Sequence, residues 1–164
     1  MKRNKIVSRD ELVERVRAER AAGRTIAFAN GCFDILHVGH IRYLESAARE
    51  ADVLVVALND DDSVRQLKGE GRPILPASDR AELVAALRCV DYVVIFDDPN
   101  VERLLMLLKP DVHCKGTDYT IDSVPERAVV QAYGGRTAIV GDPKSHATRE
   151  LIARIADSAR GGSA

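Results

Sequence analysis

An α/β fold, a doubly wound parallel sheet of five strands in a single domain, is predicted by three features of this 164-residue chain. Short, almost continuously apolar runs recur along it, patterns of helical period separate them, and the polar, glycine-bearing loops follow the runs. Strands apolar throughout are those covered on both faces. Their alternation with helices implies right-handed crossovers between parallel neighbours. The length suits one core and is short for two. The expected arrangement is Rossmann-like, with an N-terminal helical segment over residues 1–24, the globular unit over 25–157 and a disordered tail over 158–164.

Each element has its own justification. Ser8-Arg9-Asp10-Glu11 reads as a capping box ahead of Leu12, Val13 and Val16 at helical spacing, with Gly23 as the stop. The strands are Thr25–Ala29, Val53–Leu58, Tyr92–Phe96, Asp111–Cys114 and Thr137–Val140. Helices are expected over Gly39–Glu50, Ser78–Arg88, Asn100–Leu108, Ser123–Tyr133 and Thr148–Ala156. Asp60-Asp61-Asp62 reads as a helix N-terminal cap and dipole partner ahead of Val64 and Leu67, not as a metal cluster.

Bulk composition narrows the function. A formal net charge of −1 and 4% aromatic residues offer no basic patch or stacking platform for nucleic acid. No apolar run approaches the roughly 20 residues needed to span a bilayer, and the basic N-terminus lacks the apolar core of a secretory signal. Cys32, Cys89 and Cys114 are widely spaced with no CxxC, so buried thiols in a reducing cytoplasm are expected.

In a doubly wound sheet, ligands bind beyond the carboxyl ends of the strands, where the strand order reverses. The chemically unusual residues lie in those loops. The stretch Gly31-Cys32-Phe33-Asp34-Ile35-Leu36-His37-Val38-Gly39-His40 follows the first strand and holds two of the four histidines. Gly31 lets the chain turn tightly, and Gly39 permits close approach to a ligand at a helix start, where amides and macrodipole favour anions. His37 and His40, three apart, can share one side of that turn. Zinc ligation lacks a third ligand, since His113 and His146 belong to distant segments, and two histidines satisfied near the core are the plain alternative. There is no GxGxxG and no GxxxxGK[ST], so phosphate would be held by a different loop.

The HxGH stretch resembles that of the cytidylyltransferase-like nucleotidyltransferases. Leu67-Lys68-Gly69, Gly71-Arg72-Pro73, Asp79-Arg80, Val90-Asp91-Tyr92-Val93-Val94 and Lys115-Gly116-Thr117-Asp118-Tyr119 follow in the family's order. Together they are most similar to the adenylyltransferase half of the ADP-heptose synthases, over roughly Thr25 to Ile155.

That resemblance implies transfer of a nucleotidyl group, AMP from ATP, to a sugar 1-phosphate such as D-glycero-β-D-manno-heptose 1-phosphate, with release of pyrophosphate. Mg²⁺ would come with the nucleoside triphosphate and not by direct protein ligation. Pairing of two copies into a homodimer is a family habit. CTP with an alcohol phosphate such as glycerol 3-phosphate, or a non-catalytic nucleotide-binding module, are the alternatives. A phosphate nucleophile is already anionic and needs no general base, which fits a site without Ser-His-Asp or paired carboxylates.

Carried over, His37 and His40 would stabilise the transferring phosphate, Lys68 would reach the phosphates, and Arg80 would brace them. The bland readings are a solvated lysine and an Arg80 ion pair with Asp79 or Glu82. Asn30, Gly31, Cys32, Phe33, Asp34, Gly39, Asn59, Lys115, Gly116, Asp118 and Thr148 would line the nucleotide and substrate. Asp34 equally suits a loop cap, and Lys115–Asp118 an ordinary turn. The family's closing Ser-Thr-Thr is replaced here by Lys144-Ser145-His146-Ala147-Thr148-Arg149-Glu150, where only Thr148 remains and also suits an N-cap. Asp122–Arg127 has no role readable from the sequence.

Overall fold

The computed structural model describes residues 4–143 and 145–162; Met1–Arg3, Lys144 of the divergent segment, and Ser163 and Ala164 of the expected tail lie outside the described residues. The chain forms β1 (Ile26–Gly31), β2 (Val53–Asn59), β3 (Tyr92–Phe96), β4 (Val112–Lys115) and β5 (Arg136–Ile139). All neighbouring pairs are parallel, in the order β3-β2-β1-β4-β5. The helices are α1 (Arg9–Ala21), α2 (Val38–Ala48), α3 (Asp61–Lys68), α4 (Ala77–Ala85), α5 (Glu102–Leu108), α6 (Arg127–Ala132) and α7 (Thr148–Gly161). The predicted fold class is the observed one, and the order reverses between β1 and β4.

The apolar strands are explained by two cores, one on each face. Phe28, Val55 and Tyr92 pack with Leu12 and Val16 of α1, with Leu104 of α5 and with Val130 of α6. Ala27, Leu54, Val93 and Cys114 face the other way, against Leu44 of α2 and Val84 of α4. Every residue of β2 is buried, as a strand covered twice must be.

The N-terminal segment proves to be part of this unit. Leu12 is 0% exposed inside the first core, and the Tyr92 hydroxyl donates to the buried Glu19 carboxylate at 2.5 Å. Upstream of α1 the chain also joins the sheet. Val93 donates to the Lys5 carbonyl at 2.8 Å, and Val7 donates to the Val93 carbonyl at 3.0 Å.

Several local expectations are corrected. Ser8 caps α1 by accepting from the Glu11 amide at 3.2 Å, but the Glu11 carboxylate pairs with Arg15 at 2.9 Å, so the box is half formed. Asp60, by contrast, is the helix cap expected: it starts α3 by accepting from Ser63 N at 2.8 Å. A short 3-10 turn over Ile121–Ser123 precedes α6, which delays the helix start to Arg127. At the C-terminus α7 continues through Gly161 where a disordered tail is predicted, because no breaker precedes Gly161 and Arg160 pairs with Asp157 at 3.0 Å.

Candidate active site

The carboxyl ends of β1 and β4 flank the switch point, and Tyr43 of α2 closes the gap beneath it. Its hydroxyl donates to the Cys114 carbonyl at 2.8 Å. The loop leaving β1 is wound tightly: Phe33 at φ 49° and Ile35 at φ 59° occupy the left-handed region, which is strained for a β-branched residue.

That strain delivers the histidine pair to the start of α2. His37 is the N-cap, its Nδ1 accepting from Gly39 N at 3.1 Å, and the His37 amide donates to His40 Nδ1 at 3.3 Å. The two imidazoles therefore form a reciprocal capping box, with rings stacked at 3.9 Å and 24°. A neutral imidazole whose Nδ1 accepts carries its proton on Nε2. Both Nε2–H groups are thus donors, the arrangement a phosphate oxygen requires. Phe33 leans on His40 with centroids 5.4 Å apart. Gly39 is obligatory for this packing, since a Cβ there would stand 2.9 Å from His37 Cε1.

His146, expected to be distant, lies in the same place. Its ring centroid is 6.3 Å from that of His37, so the chain brings three of its histidines together. Thr148 is the first residue of α7 and not its N-cap. Ala147 occupies the cap position, with no side-chain hydrogen bond to the helix amides.

Arg80 is corrected most. It is 0% exposed, and its donors are committed to backbone and carboxylate: Nε to the Leu75 carbonyl at 3.0 Å, Nη1 to the Cys32 and Asn59 carbonyls at 2.7 and 2.8 Å, and Nη2 to Asp61 at 2.7 Å. It ties the ends of β1 and β2 to α3 and α4 from below, as a positioning residue. Neither Asp79 nor Glu82 is its partner; Asp61 is.

Asp34 acts as the loop cap. Its buried carboxylate accepts from Arg72 Nε at 2.7 Å, Ile74 N at 2.8 Å and Leu75 N at 3.0 Å. Burial alone would raise its pKa, but those amide bonds and the Arg72 guanidinium outweigh it and hold the group below the ordinary carboxylate value. The Cys32 thiol, 3.8 Å from Asn59 Oδ1, is pushed up by burial against the lowering pull of Lys68, Arg80 and Arg72. It stays protonated at neutral pH, so it is no nucleophile. Gly31 lies under the Phe33 ring, 3.1 Å from where its Cβ would be.

Two lysines flank the pair. Lys68 ends α3, exposed, beside Gly69 at φ 95° and Gly71 at φ 82°, and its charge is felt at Cys32. Lys115 is nearly buried at the end of β4, over the Tyr119 ring at 4.6 Å and 3.9 Å from Glu126. Asp118 is exposed beyond it, and a Cβ on Gly116 would stand 3.0 Å from Asp118 Oδ1. Glu126 gives the Asp122–Arg127 segment its role: the segment folds back, fastened by Arg127 to Asp122 at 2.5 Å, and sets a carboxylate beside Lys115.

The arrangement is a cationic and N–H-donating floor for a polyanion, and among the described residues no group of three or more His, Cys, Asp and Glu could hold a metal ion. Sequence reasoning missed Tyr43, Arg72 and Glu126. Tyr43, three residues after His40, was marked by helical spacing; the other contacts join segments far apart in the chain.

The family model described as cytidylyltransferase-like matches residues 28–156. The chain belongs to this family. It is 49% identical over 151 residues, 92% of its length, to the "Bifunctional protein HldE" of Geobacter metallireducens, and 46% identical to that of Geobacter sulfurreducens. The matched region is 31% of each of these relatives, so the chain spans about a third of their length. Among solved structures, a lipopolysaccharide core biosynthesis protein from Thermoplasma volcanium superposes with a TM-score of 0.62 at 30% identity, over 72% of this chain and 95% of that one.

Proposed function

We propose that this chain is a nucleotidyltransferase that transfers AMP from ATP to a sugar 1-phosphate, D-glycero-β-D-manno-heptose 1-phosphate, giving ADP-heptose and pyrophosphate. The observation that carries this reading is the reciprocal His37–His40 pair, which fixes two Nε2–H donors at the N-terminus of α2 beside the switch point. The match to the cytidylyltransferase-like family and to the HldE proteins supports the reaction class and the substrates.

An oxygen of the sugar phosphate attacks the α-phosphorus, the Pα–O bond to the β-phosphate breaks, and pyrophosphate departs with the electron pair. No proton need be removed. His37 and His40 donate to the oxygens on which charge accumulates, and the α2 amides and macrodipole add to them. Lys68 reaches the phosphates from its exposed loop. Asp34 is fully engaged by Arg72 and two amides, so Mg²⁺ fits this site as a companion of the triphosphate, neutralising its charge, with no protein carboxylate as ligand. The reaction belongs in the cytoplasm, and two copies pair as a homodimer. No helix among the described residues is long and apolar enough to cross a membrane.

Pyrophosphate release with ATP, CTP, GTP and UTP against a panel of sugar and alcohol phosphates tests the assignment. ATP with heptose 1-phosphate is expected to be fastest. CTP with glycerol 3-phosphate as the best pair would replace it, and silence across the panel would leave a binding module.

A further inference from the structure

His113 belongs to none of the chemistry above, yet it is wholly buried in the sheet. It stands on β4 in register with Phe28 of β1 and Thr137 of β5, and the Phe28 ring lies 5.9 Å away. An apolar side chain would pack here without penalty. The histidine instead leaves Nδ1 with no partner among the described residues, which costs stability. Its other nitrogen has one partner: Nε2 lies 2.9 Å from Asn30 Oδ1. An amide oxygen only accepts, so the ring proton sits on Nε2. Burial, and secondarily the charge of Lys115, hold the ring neutral with a pKa lowered to about 3. The one N–H of this imidazole is therefore committed to Asn30.

That bond decides what Asn30 can do. Its Oδ1 is taken by His113, while Nδ2 has no hydrogen-bond partner among the described residues. Asn30 sits half-buried at the carboxyl end of β1, one residue past the Ala29–Cys114 pairing, on the same sheet face as His113 and Lys115. We propose that His113 is a positioning residue that fixes the Asn30 amide so that its NH₂ donates to an oxygen of the bound substrate between β1 and β4. That oxygen belongs either to the triphosphate or to the sugar phosphate. Resting on the proposed reaction, Asn30 is the group that touches substrate and His113 acts through it.

The test uses the full ¹⁵N-labelled chain, titrated separately with ATP plus Mg²⁺ and with heptose 1-phosphate, while the Asn30 side-chain NH₂ signals are followed. They are expected to shift with one of the two, which names the source of the oxygen. In His113→Phe, which keeps the ring and loses the donor, that shift should disappear and KM for the same substrate should rise about tenfold with kcat little changed. His113→Gln, which restores a donor, should recover part of the loss. The double variant His113→Phe/Asn30→Ala should be no worse than Asn30→Ala alone. Asn30 signals insensitive to a ligand that does move the Gly39 and His40 amides, KM values in His113→Phe equal to those of the parent, or strictly additive losses would each overturn the proposal. The Gly39 and His40 backbone amides report binding itself: if neither ligand moves them, the assigned reaction has failed and the Asn30 NH₂ is followed with the best pair of the panel, which separates the two failures.

Discussion

Arg80 and Asp61 meet at 2.7 Å beneath the site, and Arg80 is the partner with no exposed surface. Its guanidinium also holds the Leu75, Cys32 and Asn59 carbonyls, the last of them buried. Arg80→Met is expected to cost roughly 2–4 kcal/mol, since the lost ion pair is accompanied by orphaned carbonyls. Arg80→Lys should recover little of it, because an ammonium cannot reproduce the planar fork. Urea denaturation checks this, and a variant of unchanged stability but abolished turnover would return Arg80 to direct contact with substrate.

The histidine pair should behave in the opposite way. His40→Ala is expected to lower kcat by about 10²–10³-fold, the usual worth of a charge-stabilising donor, while the thermal midpoint moves by only a few degrees. An unaltered turnover rate would remove the pair from the mechanism.

Gly39→Ala probes the same pair without removing either imidazole. The new methyl would stand 2.9 Å from His37 Cε1, so the His37 ring must leave its place on the Gly39 amide. Loss of at least about tenfold in kcat/KM with a retained circular dichroism spectrum is expected, the result of a misplaced donor. Full activity would mean that the ring position is not critical.

Acid stability follows from two groups. His113 is held neutral with a pKa lowered to about 3 from 6.5, so the unfolded chain binds its proton first. Stability from this group is whole above pH 6.5 and falls as pH drops towards 3, by up to about 1.4 kcal/mol per pH unit. Unfolding free energies of the parent and of His113→Leu between pH 7 and pH 4 measure it. The variant should show the shallower slope, and identical slopes would contradict the assignment.

Asp34, lowered from 3.8, adds stability that is present above that value and is lost only below it. Asp34→Asn should therefore be destabilised at neutral pH and loosen the turn it caps. Hydrogen exchange at the Ile74 and Leu75 amides reads this directly, and unchanged protection there would show that the cap is dispensable.

The strands were legible because a strand buried on both faces carries its pattern in consecutive residues, as Val53–Leu58 does. The capping chemistry of Asp60 and the histidine spacing were legible for the same reason of short range. What was not legible depends on contacts between distant segments. Nothing local in Arg80 announces that four groups from the loop leaving β1, from β2, from α3 and from the turn before α4 will surround it. The approach of His146 to His37 likewise arises only when the β5–α7 connection folds over α2. The helical extent of α7 was obscured because no residue of it is buried, so its apolar pattern gave no clear end.

The bridge between Ile6 and Val93 carries a practical consequence. β3 is the outermost strand on its side of the sheet, and an open edge offers amides and carbonyls to any passing chain. Lys5 and Val7 take up those groups from within the molecule. A version trimmed to begin at the first strand would keep every residue of the histidine site yet bare both a sticky border and the Leu12 socket. Its expected fate is precipitation in place of slow catalysis, so the shortest workable protein starts upstream of Lys5.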